Sequence, residues 1–325
     1  MTVHVTADRI LRIATGYMDS QLLFQASRVG LFDAVAAGAT TVDQISDATG
    51  ISPTIARILA DAMAAQGMLQ RQTDRYALEA DAAAYLTGGP ESLHPFLHFL
   101  DQISYPHWMQ FARTVDSGEP GDLGMNPERW DVFLDGVMTY NRLHAREYAR
   151  LIDLADARTV LDFGGLSAAF AVETMLRHPL QHTTFLYEEA FLGGVAEAID
   201  AAGLSDRVDI VAGETATAEP IGAYDAVFAN HVIHRFDAEA NAAIFARLRR
   251  AARAGAVLTV LDFFSDVDDV PRRLDARHAA EYLVIDGTVV YPEVQVRRWL
   301  ADAGWRVERR VALPGSPRVL VAVAV

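Results

Sequence analysis

Apolar positions recur at helical spacing through the first half of the chain and give way to strand–helix alternation after residue 159. Ile10, Ile13, Ala14, Met18, Leu22 and Phe24 place a helix over Ala7–Val29, with Gly30 as its stop. Thr41–Thr49 reads as a helix ended by Gly50. Ser52 is an N-cap with Pro53 at the first helical position, and that helix runs to about Gln66. Met68–Leu78 then alternates like a hairpin around Thr73 and Asp74. Helix, turn, helix and hairpin form a winged-helix pattern. Its second helix holds the single basic residue Arg57 among apolar neighbours, where a groove reader needs several Arg, Lys, Asn or Gln. The module is therefore expected to pack or dimerise.

Two aromatic-rich helical segments follow, Leu93–Val115 and Arg129–Leu154, separated by a Gly-rich loop over Ser117–Asn126. Strands are expected at Thr159–Phe163, Thr183–Tyr187, Val208–Ala212, Ala223–Ala229 and Ala256–Phe263. Helices are expected at about Ser167–Arg177, Leu192–Ala201 and Ala238–Ala254. The end reads as a hairpin, Trp305–Leu313 and Arg318–Val325, around Pro314-Gly-Ser-Pro317. Repeated βα units closing in a hairpin predict an α/β fold: a doubly wound, mostly parallel sheet with an antiparallel edge.

Composition narrows the chemistry. All 28 basic residues are Arg, and the chain has neither Lys nor Cys. Schiff bases, a P-loop lysine, thiolate nucleophiles, disulfides and Cys-held metals are excluded. The net charge of −15 disfavours nucleic acid as a partner. No apolar run approaches a membrane-spanning length and no leader pattern opens the chain, so a cytoplasmic protein without a membrane partner is expected. Catalysis falls to His, carboxylates, hydroxyls, Arg or a bound cofactor.

Val160-Leu-Asp-Phe-Gly-Gly-Leu-Ser-Ala-Ala runs from a strand through a Gly turn into a helix, at the carboxyl end of a strand where ligands bind in such folds. With Gly213-Glu214 and Asn230-His-Val-Ile-His234-Arg-Phe-Asp, and with the order of domains, the chain resembles class I S-adenosylmethionine-dependent O-methyltransferases of the plant caffeate and bacterial polyketide tailoring type. The resemblance implies a winged-helix dimerisation domain (1–90), a helical substrate cap (91–155) and a Rossmann-like methyltransferase domain (156–325). It implies a homodimer acting on a small apolar or aromatic substrate. It places Asp162, Gly164, Gly165, Glu188, Glu214 and Asn230 around the cofactor. It makes His234 the general base, a role suited to imidazole near neutrality, with Asp262 as its orienting carboxylate. Phe99, Tyr105, Trp108, Phe133, Met138 and Asn141 are its expected substrate-lining residues.

The departures from the family pattern converge on the cofactor. Leu166 and Ala168 stand where the family loop has glycines, Tyr187 stands where it has the ribose-binding acid, and Asn230 where it has a basic residue. Thr215 replaces an apolar neighbour of Glu214, and Arg235-Phe236 replaces Asp-Trp. Overpacking a close approach costs about 1–3 kcal/mol, and losing a charged acceptor roughly 1.5–3 kcal/mol. Partial addition weakens binding on the order of 100- to 1,000-fold. The expectation is an O-methyltransferase-family enzyme with impaired S-adenosylmethionine binding that uses His234 in a cyclisation, elimination or isomerisation. An authentic O-methyltransferase and a non-catalytic scaffold are the alternatives.

Other constellations are weaker. His231 and His234, with Asp237 or Asp262, have zinc-like spacing, and His94, His98 and His107 form a loose cluster, but no metal is expected. Asp266, Asp268 and Asp269 resemble part of a calcium loop without its Gly and terminal Glu. Ser167, Asp262 and His278 follow hydrolase order, although Ser167 serves equally as a helix N-cap.

Overall fold

The computed structural model describes residues 6–265 and 271–325. Asp266, Asp268 and Asp269 lie outside the described residues. The described residues form two compact units, one holding residues up to 106 with 125–140, the other 107–124 with those from 141 onward. Residues 91–155 thus contribute to both.

In the first unit, helices Asp8–Arg28, Leu31–Ala36, Val42–Thr49 and Pro53–Ala65 precede an antiparallel hairpin, β1 (Leu69–Gln72) and β2 (Arg75–Leu78). Local chemistry sets these boundaries. The Thr41 hydroxyl accepts from the Gln44 amide while the Gln44 side chain accepts from the Thr41 amide, a reciprocal cap. Ser52 accepts from the Ile55 amide ahead of Pro53, and such a cap contributes about 1 kcal/mol. Thr73 takes φ 59° in the tight hairpin turn. Phe32, Ile45, Leu59, Met63 and Tyr76 fill the core. Ile10, Ile13, Tyr17, Met18, Ile55 and Ile58 remain exposed.

The continuous helix expected over Leu93–Val115 is broken. Helix His94–Phe99 runs into a π-helical turn at Leu100–Ser104, then Tyr105–Trp108 and Phe111–Ser117. Pro106 has no amide hydrogen to continue a regular ladder, which accounts for the shift in register. Within the first unit, Phe99 packs edge-on to Phe133, their centroids 5.6 Å apart, and over Gly136, where an added methyl would lie 2.2 Å from its Cβ.

The second unit is built on a seven-stranded sheet of β3 (Thr159–Phe163), β4 (His182–Tyr187), β5 (Val208–Ala212), β6 (Tyr224–Phe228), β7 (Ala252–Asp262), β8 (Trp305–Ala312) and β9 (Arg318–Ala324). Their order is β5-β4-β3-β6-β7-β9-β8. The first five are parallel, and β9 pairs antiparallel to both β7 and β8. The α/β class and the terminal hairpin are as expected. Strand β7 starts four residues earlier than expected because helix Ala238–Ala251 ends sooner. Two apolar clusters serve the sheet, one around Phe245, Trp299, Trp305 and Leu320, the other around Tyr148, Phe170, Phe185 and Phe228. Strand order reverses between β3 and β6, and the carboxyl ends of those strands open the crevice that α/β sheets use for ligands.

Candidate active site

The turn after β3 carries the first group of candidates. Gly164 takes φ 65° and donates its amide to the Leu186 carbonyl at 2.9 Å, a conformation that suits glycine. Asp162 is buried, its Oδ2 has no partner, and burial pushes the carboxyl up to about 8, against the weaker opposing effect of the Tyr187 hydroxyl. Tyr187 ends β4 facing inward and fully buried, and its hydroxyl donates to the Ser167 carbonyl at 3.2 Å. Burial, together with the neighbouring Asp162, raises that phenol well above its ordinary value.

Side chains of the protein cover both glycines. A methyl on Gly165 would lie 2.7 Å from the Tyr187 hydroxyl, and one on Gly164 would lie 2.3 Å from Cγ2 of Thr215. Glu188 accepts a 2.8 Å hydrogen bond from the Thr215 hydroxyl. Arg235, from the 3-10 turn Ile233–Arg235 after β6, donates through Nη2 to the Gly164 carbonyl. Its Nη1 stands 4.0 Å from Glu188 Oε1, and its guanidinium lies 5.3 Å from the centre of the Phe236 ring.

The second group lies beyond β6 and β7. His234 Nδ1 is 2.8 Å from Oδ2 of Asp262 at the end of β7. The Asp262 carboxylate is buried, and its Oδ1 accepts from the Phe263 amide at 2.9 Å. With the proton on Nδ1 directed at the carboxylate, Nε2 is the basic nitrogen. The His234 ring rests against Tyr282 with centroids 4.6 Å apart. His231, beside it, holds φ 56° while donating its amide to the Leu261 carbonyl. Burial lowers the His231 imidazole to about 3, so it is neutral under ordinary conditions. His231, His234 and Asp262 offer ligand atoms within 4.8 Å of one another, and among the described residues they are the only such trio. Asp237, the other suggested third ligand, instead caps a helix by accepting from Ala240.

Several candidates are engaged elsewhere. Asn230 is buried and turned toward β7, its Oδ1 accepting from the Leu261 amide at 3.2 Å. Glu214 is exposed just beyond β5. Trp108 donates its indole N–H to Glu281, and Asn141 is buried. Tyr105, Phe133 and Met138 are half-buried, whereas Phe99 is buried. The hydrolase arrangement does not form, since Asp262 pairs with His234 and the His278 Nδ1 bonds the Leu274 carbonyl. Ser167 accepts from the Ala169 amide at 3.3 Å rather than capping from the expected position, for the helix starts at Ala169. Sequence reasoning did not mark Tyr282, on a helix it missed, or Arg235 as an occupant of the crevice.

Comparison with known proteins adds the family. An O-methyltransferase dimerisation domain matches residues 11–88, and an O-methyltransferase domain matches residues 106–306. The chain belongs to the O-methyltransferase family. It is 29% identical to a 3-hydroxy-5-methyl-1-naphthoate 3-O-methyltransferase of Streptomyces sahachiroi, over 96% of this chain and 93% of that relative. Among solved structures, the pyocyanin biosynthetic protein PhzM matches with TM-score 0.89 and 22% identity, covering 98% of this chain and 99% of that one. Human N-acetylserotonin methyltransferase in complex with S-adenosylmethionine matches with TM-score 0.84 and 20% identity, covering 100% and 99%.

S-adenosylmethionine is the cofactor that this membership implies. Around the Gly164 turn, where it would bind, neighbouring side chains are engaged with the protein itself. Tyr187 and Thr215 cover the glycines that would face a ligand, Arg235 holds the Gly164 carbonyl, and Thr215 holds Glu188.

Proposed function

We propose that this chain is a small-molecule biosynthetic enzyme in which His234, oriented by Asp262, moves a proton on an apolar aromatic or polycyclic substrate, with S-adenosylmethionine binding weakened. The observation that carries the reading is the 2.8 Å His234–Asp262 pair beside a glycine turn against which Tyr187 and Thr215 pack. A buried carboxylate fixes the imidazole and stabilises the imidazolium formed when Nε2 accepts a proton, as in other base–carboxylate pairs. Returning the proton at another atom completes an isomerisation, elimination or cyclisation with no net consumption of acid. Family membership and the exposed apolar face of Ile10, Ile13 and Tyr17 support a homodimer formed through the first unit.

A second reading, authentic O-methyltransfer to a phenol, draws support from the naphthoate methyltransferase relative. Incubation with 3-hydroxy-5-methyl-1-naphthoate and related naphthols in deuterated water, with and without S-adenosylmethionine, separates the two. Deuterium entering carbon without the cofactor, and absent in His234→Ala, is the expected result. Methyl ether formation with no cofactor-independent exchange would establish the second reading in its place.

A further inference from the structure

Two acceptors meet Arg235 at the Gly164 turn. The Gly164 carbonyl accepts from the Arg235 guanidinium and the Glu188 carboxylate flanks it. A carbonyl and a carboxylate gathered in a half-buried cleft make a site for a cation. Here the cation belongs to the chain itself. The side chain of Arg235 is only 17% exposed, and burial draws its guanidinium down from its ordinary value. It donates to Gly164, approaches Glu188 to 4.0 Å and leaves a buried Nε with no partner. An incompletely satisfied buried guanidinium is held by its surroundings at a cost, and removing it leaves the acceptors ready for another cation.

We propose that Arg235 is the specificity-determining residue of this crevice, an internal ligand whose guanidinium fills the cation subsite at Gly164 and Glu188 and so excludes cationic sulfonium ligands. The proposal rests on the weak-cofactor reading above and adds the residue responsible and the chemistry of the exclusion. Repulsion by a fixed positive charge acts selectively. S-adenosylmethionine carries a sulfonium charge that S-adenosylhomocysteine lacks, while the two are otherwise alike in the adenosine and amino-acid parts. Arg235 therefore penalises the sulfonium form more than the thioether form. A purely steric plug would penalise both equally.

The test is calorimetric titration of the full-length protein with each ligand, for the wild type, Arg235→Ala, Arg235→Met and Arg235→Lys. Arg235→Met keeps the side-chain length and apolar packing, and so guards against loss of fold in Arg235→Ala. The expected result is at least a tenfold gain in S-adenosylmethionine affinity in the Met or Ala variant, with a smaller gain for S-adenosylhomocysteine. Arg235→Lys, which retains the charge, should keep the wild-type preference between the ligands. Methylguanidinium at about 10 mM should reduce the affinity of Arg235→Ala for S-adenosylmethionine by re-entering the vacated subsite, and should leave the wild type unaffected. Equal gains for both ligands, or no gain in a folded Arg235→Met protein, would overturn the proposal. Tight S-adenosylmethionine binding by the wild type would sink the weak-cofactor reading instead, and the ratio between ligands across the variants would still decide the role of Arg235.

Discussion

Replacing Asp162 with Asn should change how stability depends on pH, and the buried carboxyl sets the magnitude. In the unfolded chain the group ionises near 3.8, whereas in the folded chain burial lifts it to about 8. Between those values the native state binds one more proton than the unfolded state, so stability falls as pH rises through the window. Each pH unit within it corresponds to about 1.4 kcal/mol. Raising the pH from about 6.5 to 8 should therefore cost the wild type no more than about 2 kcal/mol through this group. His231 acts in the opposite sense at lower pH. With its imidazole held at about 3, below its ordinary 6.5, it removes stability as pH falls below 6.5, and it adds little slope above that. Asp162→Asn keeps the size of the side chain and deletes the titration. Urea denaturation at three pH values from 6.5 to 8 should give a falling stability for the wild type and a flatter line for the variant. Parallel lines would refute the protonated, buried Asp162.

His234→Ala should abolish turnover in a stopped-assay comparison and lower the melting temperature by a few degrees, because the buried Asp262 loses its partner at a cost of about 1–3 kcal/mol. Asp262→Asn should lower kcat roughly 10- to 150-fold with little change in KM, the range spanned by losing a charge-assisted hydrogen bond of about 1.5–3 kcal/mol; an unchanged kcat would remove Asp262 from the mechanism. Gly165→Ala should destabilise the protein by about 1–3 kcal/mol through the contact with the Tyr187 hydroxyl. In a Tyr187→Phe background the same change should cost less, and a double-mutant cycle by thermal melting reads the coupling.

Much of the architecture was legible because local signals agreed. Thr41, Ser52 and Pro53 marked helix starts, and the strands Thr159–Phe163 and Val208–Ala212 and the helix Leu192–Ala201 have the expected bounds. The helices Arg273–Asp286 and Glu293–Asp302 were missed. The first buries only Asp275 and Val284, so it offers little apolar stripe to read. The His234–Asp262 pairing followed from the family resemblance, and the structure brings the two side chains together. The burial of Tyr187 was legible: Thr183, Phe185 and Tyr187 alternate along β4, which assigns Tyr187 to the buried face with Phe185. That Arg235 reaches back to Gly164 was not legible, because the contact spans 71 residues and depends on the turn after β6. The inward rotation of Asn230 likewise depends on the backbone of a neighbouring strand.

On the proposed function, the side chains of this protein occupy the place of the methyl donor and leave His234 to act by proton transfer. Calorimetric titration of the wild-type protein with S-adenosylmethionine tests the first half of that claim directly. The expected dissociation constant is weaker than about 50 μM, less than about 6 kcal/mol of binding. Binding tighter than that would contradict the claim and restore methyl transfer as the reaction.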